Sequence, residues 1–161
     1  MWGRLKEYLD RNKIRYQLII HSPAYTAQEI AASAHIPGLE MAKVVMIRAD
    51  NKILMAVIPA SHSIDLMRFK EICGAQNVQL AQEKDYINLL DDCEPGAEPP
   101  FGNLFNLPVF VSTILKQDSQ IACNAGNHRE LIRLSFDDFE RLVKPEISSF
   151  SIKSQPGNKP F

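Results

Sequence analysis

Two apolar runs on either side of a short turn constrain the fold of this chain more than any other feature. They lie in "KVVMIRADNKILMAVIP", where the first run spans Lys43 to Arg48 and the second spans Ile53 to Pro59. Asp50 and Asn51, residue types that are common in turns, separate the two runs. This pattern predicts a β-hairpin whose strands are buried on at least one face.

The segments that precede the hairpin predict two helices and one strand. In "GRLKEYLDRNKI", Leu5, Tyr8 and Leu9 share one helical face. "RYQLII" has the composition of a short strand. In "TAQEIAASAHI", Thr26 and Glu29 have the spacing of a capping box, so we expect a second helix to begin there.

The segments that follow the hairpin mix helices with strands. "SIDLMRFKEICGA" predicts a helix with Ser63 as its N-cap and Gly74 at its C-terminal end, and "SFDDFERLV" predicts a helix capped by Ser135. A shorter helix is predicted in "QEKDYINLL". Short strands are predicted in "NVQLA", "LPVFVSTIL", "SQIACNAG" and "ELIRLS". Residues 149–161 have no clear period, so we expect a loosely ordered tail.

This mixture of elements indicates one domain of the α+β class. Strands alternate with short helices without a regular βαβ repeat, which favours a mixed, mainly antiparallel sheet. The 161 residues contain no internal repeat and no linker-like stretch, and this length suits a single domain. We therefore expect one domain over residues 1–148.

The charge and the cysteines limit the partners and the compartment. Lysine and arginine number 18 against 19 aspartates and glutamates, which gives a net charge of −1. Proteins that grip nucleic acid over a long footprint are usually basic, so any such contact should be local or helped by a partner. The three cysteines form no CxxC pair, which favours reduced thiols. No secretory leader and no long apolar stretch is present, so we expect a cytoplasmic protein with no membrane contact.

Several common catalytic motifs are missing from the sequence. The four histidines show no HExxH or other metal-ligand spacing, and isolated histidines are more often surface or structural residues. GxSxG, the Walker A sequence and GxGxxG are also absent. We therefore expect no metal and no cofactor.

Lys43 is the first of two features with possible chemistry. It stands at the start of a strongly apolar strand. A lysine in that position either extends its ammonium group to water or meets an anion. The residue pattern leaves both interpretations open.

The second feature is the loop "EPGAEPPFGN", residues 94–103, with three prolines and two glycines in ten positions. The prolines fix φ and remove N–H donors, whereas the glycines allow a ligand to approach the main chain. A loop so restricted can aim its remaining N–H groups at one point, as an oxyanion hole does. It can equally be a rigid turn that joins two elements.

These features occur together in one known family. The runs "MAKVVMIRADNKILMAVIPASHSIDLMRFKEICG", "CEPGAEPPFG" and "IACNAGNHRELIRLSFDDFERLVKP" resemble the YbaK/EbsC family of aminoacyl-tRNA editing domains. The family includes free-standing deacylases and the editing insertion of bacterial prolyl-tRNA synthetases. The resemblance covers residues 14–146, and the lysine, the loop and the "NAG" turn follow one another in the family's order.

The resemblance implies a fold, a reaction and a set of site residues. The implied fold is a compact α+β domain with a mixed, barrel-like sheet flanked by helices. The implied reaction is hydrolysis of the ester of a mischarged aminoacyl-tRNA, with an aminoacyl-tRNA synthetase as a possible partner. Lys43 would hold the substrate end, while the backbone from Gly96 to Pro100 would face the aminoacyl carbonyl. Further substrate contacts are implied at His21, Ala97, Glu98, Phe101, Gly102, Asn124, Gly126 and His128.

Two other functions remain open on the sequence. One is a module that binds a tRNA end or a synthetase without catalysis, for which the near-neutral charge is equally suitable. The other is an unrelated small-molecule hydrolase, although no nucleophile motif supports it. For a deacylase, family members differ in the amino acid they remove, and alanine, cysteine, serine and threonine are the candidates.

Overall fold

The computed structural model describes residues 1–155. Helices and strands follow one another along these residues in a mixed order. The α-helices are α1 (Gly3–Arg11), α2 (Ala27–Ser33), α3 (Leu66–Cys73), α4 (Glu83–Tyr86) and α5 (Phe136–Val143). The strands are β1 (Tyr16–Ile20), β2 (Ala42–Ala49), β3 (Lys52–Pro59), β4 (His62–Ile64), β5 (Val78–Leu80), β6 (Val109–Ser112), β7 (Gln120–Asn124), β8 (Glu130–Ser135), β9 (Glu146–Ser148) and β10 (Ser151–Lys153).

The strands pair in three sheets. The largest has five strands in the order β5-β2-β3-β6-β9, a second has the order β1-β8-β7, and β10 pairs with β4. The pairs β3–β6 and β6–β9 are parallel, whereas the other pairs are antiparallel. The predicted α+β class with a mixed, mainly antiparallel sheet is confirmed. The described strands do not close into a barrel, so the barrel-like part of the expectation is wrong.

The predicted hairpin forms the centre of the largest sheet. β2 and β3 pair in antiparallel register from Lys43 opposite Ile58 to Ala49 opposite Lys52. Asp50 begins the turn with a φ of 52°, a left-handed conformation that aspartate tolerates. From Leu54 to Pro59 every residue of β3 is buried. The strand reads as one continuous apolar run because helices and strands cover it on both faces.

The helix caps show where local sequence decides the structure. The Thr26 hydroxyl accepts a hydrogen bond from Glu29 N, and the Ser135 hydroxyl accepts one from Asp138 N. Both caps are confirmed, although in the described structure the Glu29 side chain does not return the hydrogen bond to Thr26 N that a full capping box would have. The Ser63 cap is wrong, because Asp65 caps α3 by accepting from Arg68 N. Ser63 instead pairs with Ile152 inside a strand, so the helix cannot begin there.

The predicted loose tail is wrong for residues 149–155. Phe150 is fully buried and packs edge-on against Phe69, with ring centroids 5.1 Å apart. The residues that follow it form β10 and pair with β4. The alternation of polar and apolar residues from 149 to 153 is too short to give a clear periodic signal, and long-range pairing supplies the order. Residues 156–161, where the rest of the predicted tail falls, lie outside the described residues.

One contact between two sheets places the residues of the candidate site. Met41, which precedes β2 and is fully buried, forms a parallel bridge with Ala122 of β7. The start of β2 therefore lies beside the end of β7. Lys43, two residues after Met41, and Asn124, two residues after Ala122, are brought to the same side of the molecule because side chains alternate along a strand.

Candidate active site

A cavity of about 230 Å³ opens where β2 begins and β7 ends. The segment before α2 and the loop after Pro95 complete its wall. The lining residues are Tyr25, Thr26, Ala27, Gln28, Lys43, Val44, Val45, Gly96 and Asn124. The structure thus brings together three of the residues predicted for the site, Lys43, Gly96 and Asn124, although they come from three distant parts of the sequence.

Lys43 supplies the positive charge of this cavity. Its side chain is half-buried, and within residues 1–155 its ammonium group has no ion pair and no hydrogen bond. Burial lowers the pKa of Lys43 from its usual 10.5 to about 8. At pH 7 roughly nine in ten side chains are still protonated. An unpaired, partly dehydrated ammonium group is a strong site for an anion or a developing negative charge.

Asn124 supplies a second unpaired polar group. The residue is 7% exposed, and its Oδ1 is buried without a hydrogen-bond partner in the described part of the chain. Buried polar atoms are nearly always paired, so an orphan of this kind calls for an explanation. A ligand that donates a hydrogen bond inside the cavity would supply the missing partner.

The loop at Gly96 is fastened to the turn that follows β7. Glu94 N donates to the Gly126 carbonyl over 2.9 Å, and Gly126 N donates to the Ala97 carbonyl over 3.0 Å. Gly126 adopts a φ of 101°, and a Cβ there would approach Trp2 Cβ to 2.5 Å. Gly126 is therefore needed for backbone geometry and close packing. The "NAG" turn supports the loop.

The N–H groups of the loop are less available than the sequence predicts. Gly96 N donates to the Glu98 carboxylate over 3.0 Å, and Ala97 N donates to the Glu94 carbonyl over 3.0 Å. Neither donor points freely into the cavity in this structure. In this structure both donors are paired inside the loop, so an oxyanion hole built from them stays a prediction that requires the two N–H groups to exchange partners when substrate binds. In the described part of the chain, the Lys43 ammonium group is an unpaired, charged donor at the cavity.

Glu98 is a buried support of the loop. It is 3% exposed, and burial raises the pKa of its carboxyl group, while hydrogen bonds from the backbone and the charge of His128 oppose that effect. The carboxylate lies in the loop interior, and it is not part of the cavity wall. In this structure, the hydrogen bond that Glu98 accepts from Gly96 N holds the loop in its conformation.

His128 is attached to the loop through Nε2 and its backbone N–H, while its Nδ1 is buried without a partner among the described residues. Its Nε2 lies 2.9 Å from the Pro95 carbonyl, and because a carbonyl can only accept, Nε2 carries the hydrogen. Its backbone N donates to the Glu94 carboxylate over 3.0 Å. The ring also packs against Tyr25, with centroids 4.7 Å apart. His128 lies next to the cavity without lining it.

His21 also lies outside the cavity wall. It is 8% exposed, its Nδ1 lies 2.7 Å from the Ser22 carbonyl, and its backbone N donates to the Arg129 carbonyl. Its Nε2 is buried without a partner among the described residues. These contacts hold the segment that leads from β1 towards Tyr25.

The remaining loop residues belong to the hydrophobic core. Ala97 and Phe101 are fully buried, and Phe101 packs edge-on against Phe139 at 5.5 Å. Pro100 is also buried. A Cβ on Gly102 would meet Val109 Cγ2 at 2.4 Å, so this glycine is required by packing. In this structure these residues pack into the core and do not line the cavity, and their assignment to substrate contact stays a prediction.

Sequence reasoning missed several residues of the wall, among them the polar side chains of Tyr25 and Gln28. Gln28 Nε2 donates to the Ala60 carbonyl over 3.3 Å. Tyr25 is 71% exposed at the cavity mouth. The one signal that could have found them is their position beside Thr26, whose hydroxyl caps α2 while its side chain also lines the cavity.

Residues 1–155 contain no group of three or more histidine, cysteine, aspartate or glutamate side chains placed to hold a metal ion. Among the helices of the same residues, none combines the length and the apolar character that crossing a membrane requires.

Comparison with known proteins defines the class of this fold and site. Residues 21–142 match the aminoacyl-tRNA editing domain family, and the chain belongs to that family. It is 26% identical to the prolyl-tRNA editing protein ProX of Acetoanaerobium sticklandii, over 88% of this chain and 90% of that protein. It is 30% identical to the proline–tRNA ligase of Staphylococcus saprophyticus, over 76% of this chain and 23% of the ligase. The chain thus spans about a quarter of the ligase and most of the editing protein.

Solved structures share the fold. The crystal structure of a proposed trans-editing enzyme for prolyl tRNA synthetase superposes with a TM-score of 0.79 at 16% identity, covering 94% of this chain and 96% of that one. The hypothetical protein APE2540 superposes with a TM-score of 0.83 at 20% identity, covering 93% of this chain and all of that one.

Proposed function

We propose that this protein is a trans-editing deacylase that hydrolyses the ester of mischarged aminoacyl-tRNA carrying a small amino acid. The observation that carries the proposal is the meeting of Lys43, Asn124 and Gly96 at one cavity, with the Lys43 ammonium group and Asn124 Oδ1 unpaired in the described structure. Membership of the editing domain family supports the same activity.

The chemistry of an aminoacyl ester suits this lining. The ester is already activated, so hydrolysis needs a placed water and stabilisation of the oxyanion that forms on the carbonyl. The cavity wall contains no cysteine, histidine or carboxylate. In our proposal, water attacks the acyl carbon and gives its proton to the free hydroxyl of the terminal ribose. That hydroxyl passes its own proton to the adjacent ribose oxygen, whose bond to the acyl carbon breaks, so the products are the free amino acid and the tRNA with both hydroxyls restored. No protein nucleophile takes part.

Lys43 stabilises the oxyanion in this scheme. Its ammonium group is an unpaired, charged donor at the cavity in the described structure, and partial burial strengthens its attraction for a developing charge. Removal of one preorganised donor to an oxyanion typically lowers turnover by about 10²–10³. In the same scheme Asn124 Oδ1, which is buried without a partner in the described structure, accepts a hydrogen bond from the α-ammonium group of the aminoacyl end, a donor that every amino acid offers.

The cavity supports a small acyl group. Pockets for drug-sized ligands have volumes of about 300–1,000 Å³, whereas this one measures about 230 Å³. Its apolar wall comes from Ala27, Val44 and Val45. Alanine, cysteine, serine and threonine are the amino acids that we propose as substrates.

The named relatives guide the choice of tRNA. One is called a prolyl-tRNA editing protein and others are proline–tRNA ligases. We therefore propose a tRNA for proline as the carrier of the mischarged amino acid. The net charge of −1 implies few contacts with the tRNA phosphates. A synthetase that presents the acceptor end would supply the binding contacts to the rest of the tRNA.

The test is release of free amino acid from a panel of mischarged tRNAs. The panel carries alanine, cysteine, serine or threonine on a proline tRNA, with correctly charged prolyl-tRNA and a tube without protein as controls. We expect one or two members to be hydrolysed well above the spontaneous rate. Hydrolysis of no member, with and without added proline–tRNA ligase, would overturn the deacylase. Tight binding without hydrolysis would establish the non-catalytic module instead.

A further inference from the structure

Tyr25 is a large aromatic side chain that the structure leaves open to solvent. It is 71% exposed, and its ring lies at the mouth of the cavity that Lys43, Gly96 and Asn124 line. Among the described residues its hydroxyl has no hydrogen-bond partner. Neither the oxyanion scheme nor the core of the protein uses this ring.

The ring is held in place although it is exposed. It packs at a tilt of 44° against the ring of His128, with centroids 4.7 Å apart. His128 is itself fixed by the Pro95 carbonyl and the Glu94 carboxylate. The neighbouring Ala24 N donates to the His128 carbonyl over 3.4 Å. The Tyr25 ring is therefore backed by a rigid support and presents most of its surface outward.

We propose that Tyr25 is the stacking platform for the terminal base of the tRNA, which deepens the function proposed above and rests on it. An aminoacyl group in the cavity is joined through one ribose to that base, so the base must lie within a few bond lengths of the cavity mouth. Unpaired bases stack on exposed aromatic side chains, and stacking does not require the protein to carry a positive net charge. Through stacking on Tyr25, a protein with a net charge of −1 binds the tRNA end by a contact that does not depend on charge.

The platform is a positioning device, because it touches the base and not the reacting atoms. Stacking of one base corresponds to roughly a five- to hundredfold change in affinity by alanine substitution. Stacking is present in both the bound substrate and the transition state. Its loss should therefore raise KM by about that factor with little change in kcat.

The experiment reports stacking directly through fluorescence. The probe is an RNA hairpin with the sequence of a tRNA acceptor stem, alanine attached through a non-hydrolysable amide, and 2-aminopurine in place of the 3′-terminal adenine. We expect the wild type and Tyr25→Phe to quench the 2-aminopurine at saturation, and Tyr25→Ala to lose the quenching. Met67→Ala is the matched control, since Met67 is 81% exposed and lies outside the cavity wall.

The outcomes separate this inference from the proposed function. Equal quenching by the wild type and Tyr25→Ala, or no quenching by the wild type, would overturn the platform. Deacylation of mischarged tRNA by the same wild-type preparation tests the hydrolysis independently. If that reaction proceeds while the platform fails, the deacylase stands without it. If quenching depends on Tyr25 while no ester is hydrolysed, the platform stands and the catalytic proposal fails.

Discussion

Each end of the β2–β3 hairpin carries a lysine, and the two ends differ in whether their charged groups are paired or exposed to water. At the turn, the Asp50 carboxylate accepts from Asn77 N over 2.9 Å, and Lys52 is exposed to water. At the open end, Lys43 is half-buried and has no partner within residues 1–155, and burial lowers its pKa to about 8. The turn end is arranged for stability, whereas the open end retains an unfavourable charge. Such unfavourable groups persist where function requires them.

The largest effect should come from removing the charge at the open end. We expect Lys43→Ala to lower kcat/KM for the best mischarged tRNA by about 10²–10³, because the oxyanion loses its free donor. Lys52→Ala, at the other end of the same hairpin, should leave kcat/KM unchanged. The measurement is release of free amino acid, with circular dichroism to show that both variants are folded. Equal activity of the two variants would remove Lys43 from the mechanism.

Two glycines with left-handed backbone offer the next comparison. Gly96 has a φ of +84°, and a Cβ there would lie 3.4 Å from His128 Cε1, whereas Gly74 has a φ of +70° with open space around it. Valine should strain the backbone at both positions. We expect Gly96→Val to lower kcat/KM by roughly tenfold or more, since the cavity wall shifts and the near-attack geometry is lost.

Gly74→Val is the matched control for that strain. It should lower the melting temperature as much as Gly96→Val does, with no loss of deacylation in the folded protein. If both variants have wild-type kcat/KM, the loop at Gly96 is a connector with no part in turnover.

The pH dependence should identify the protonated form of Lys43 as the active one. With a pKa of about 8 in the free protein, the ammonium group loses its proton as the pH rises through that value. Spontaneous ester hydrolysis accelerates with pH, so the quantity to follow is the ratio of kcat/KM to the spontaneous rate. We expect this ratio to fall above pH 8 in the wild type. In Lys43→Arg, whose charge persists, any residual activity should show no such fall. A flat wild-type ratio up to pH 9.5 would contradict the role.

The smallest effect concerns stability. Because the pKa of Lys43 falls from 10.5 to about 8 on folding, the unfolded chain binds more protons between these values. The free energy of unfolding should therefore rise with pH across this window. Lys43→Met removes the buried charge, and we expect it to raise the melting temperature at pH 7 by about 2–4 °C. Calorimetry at pH 7 and pH 10 checks both parts, and a lower melting temperature for Lys43→Met would mean that the charge has a stabilising partner.

The elements that the sequence predicted correctly are those decided by neighbours along the chain. Thr26 and Ser135 cap helices because each hydroxyl reaches an N–H three residues ahead. The hairpin around Asp50 follows from two apolar runs and a turn. In these cases the interacting groups are close in sequence, so residue type and spacing contain the information.

The candidate site was only partly predicted, because its residues are far apart in the sequence. Residue pattern singled out Lys43 and the loop that contains Gly96, but it left Lys43 as either a solvated strand end or an anion site, and Asn124 was predicted only from the resemblance to a family. The choice between these two interpretations depends on how deeply the Lys43 side chain is buried and on whether it has a partner. Both arise from the bridge between Met41 and Ala122. No local pattern records such a contact.

Tertiary structure also decided points that the local pattern did not predict. The N–H groups of Gly96 and Ala97 are paired with Glu98 and Glu94, which are only two and three residues away, whereas Phe101 is buried in the core against the distant Phe139. Phe150 orders a segment that has no periodicity of its own. Local sequence thus specified the class of fold and the capped helices and the central hairpin, since short-range hydrogen bonds and apolar spacing decide them. Which polar groups stay unpaired at the cavity followed from long-range packing, because the residues that line the cavity come from distant parts of the sequence and meet only after folding.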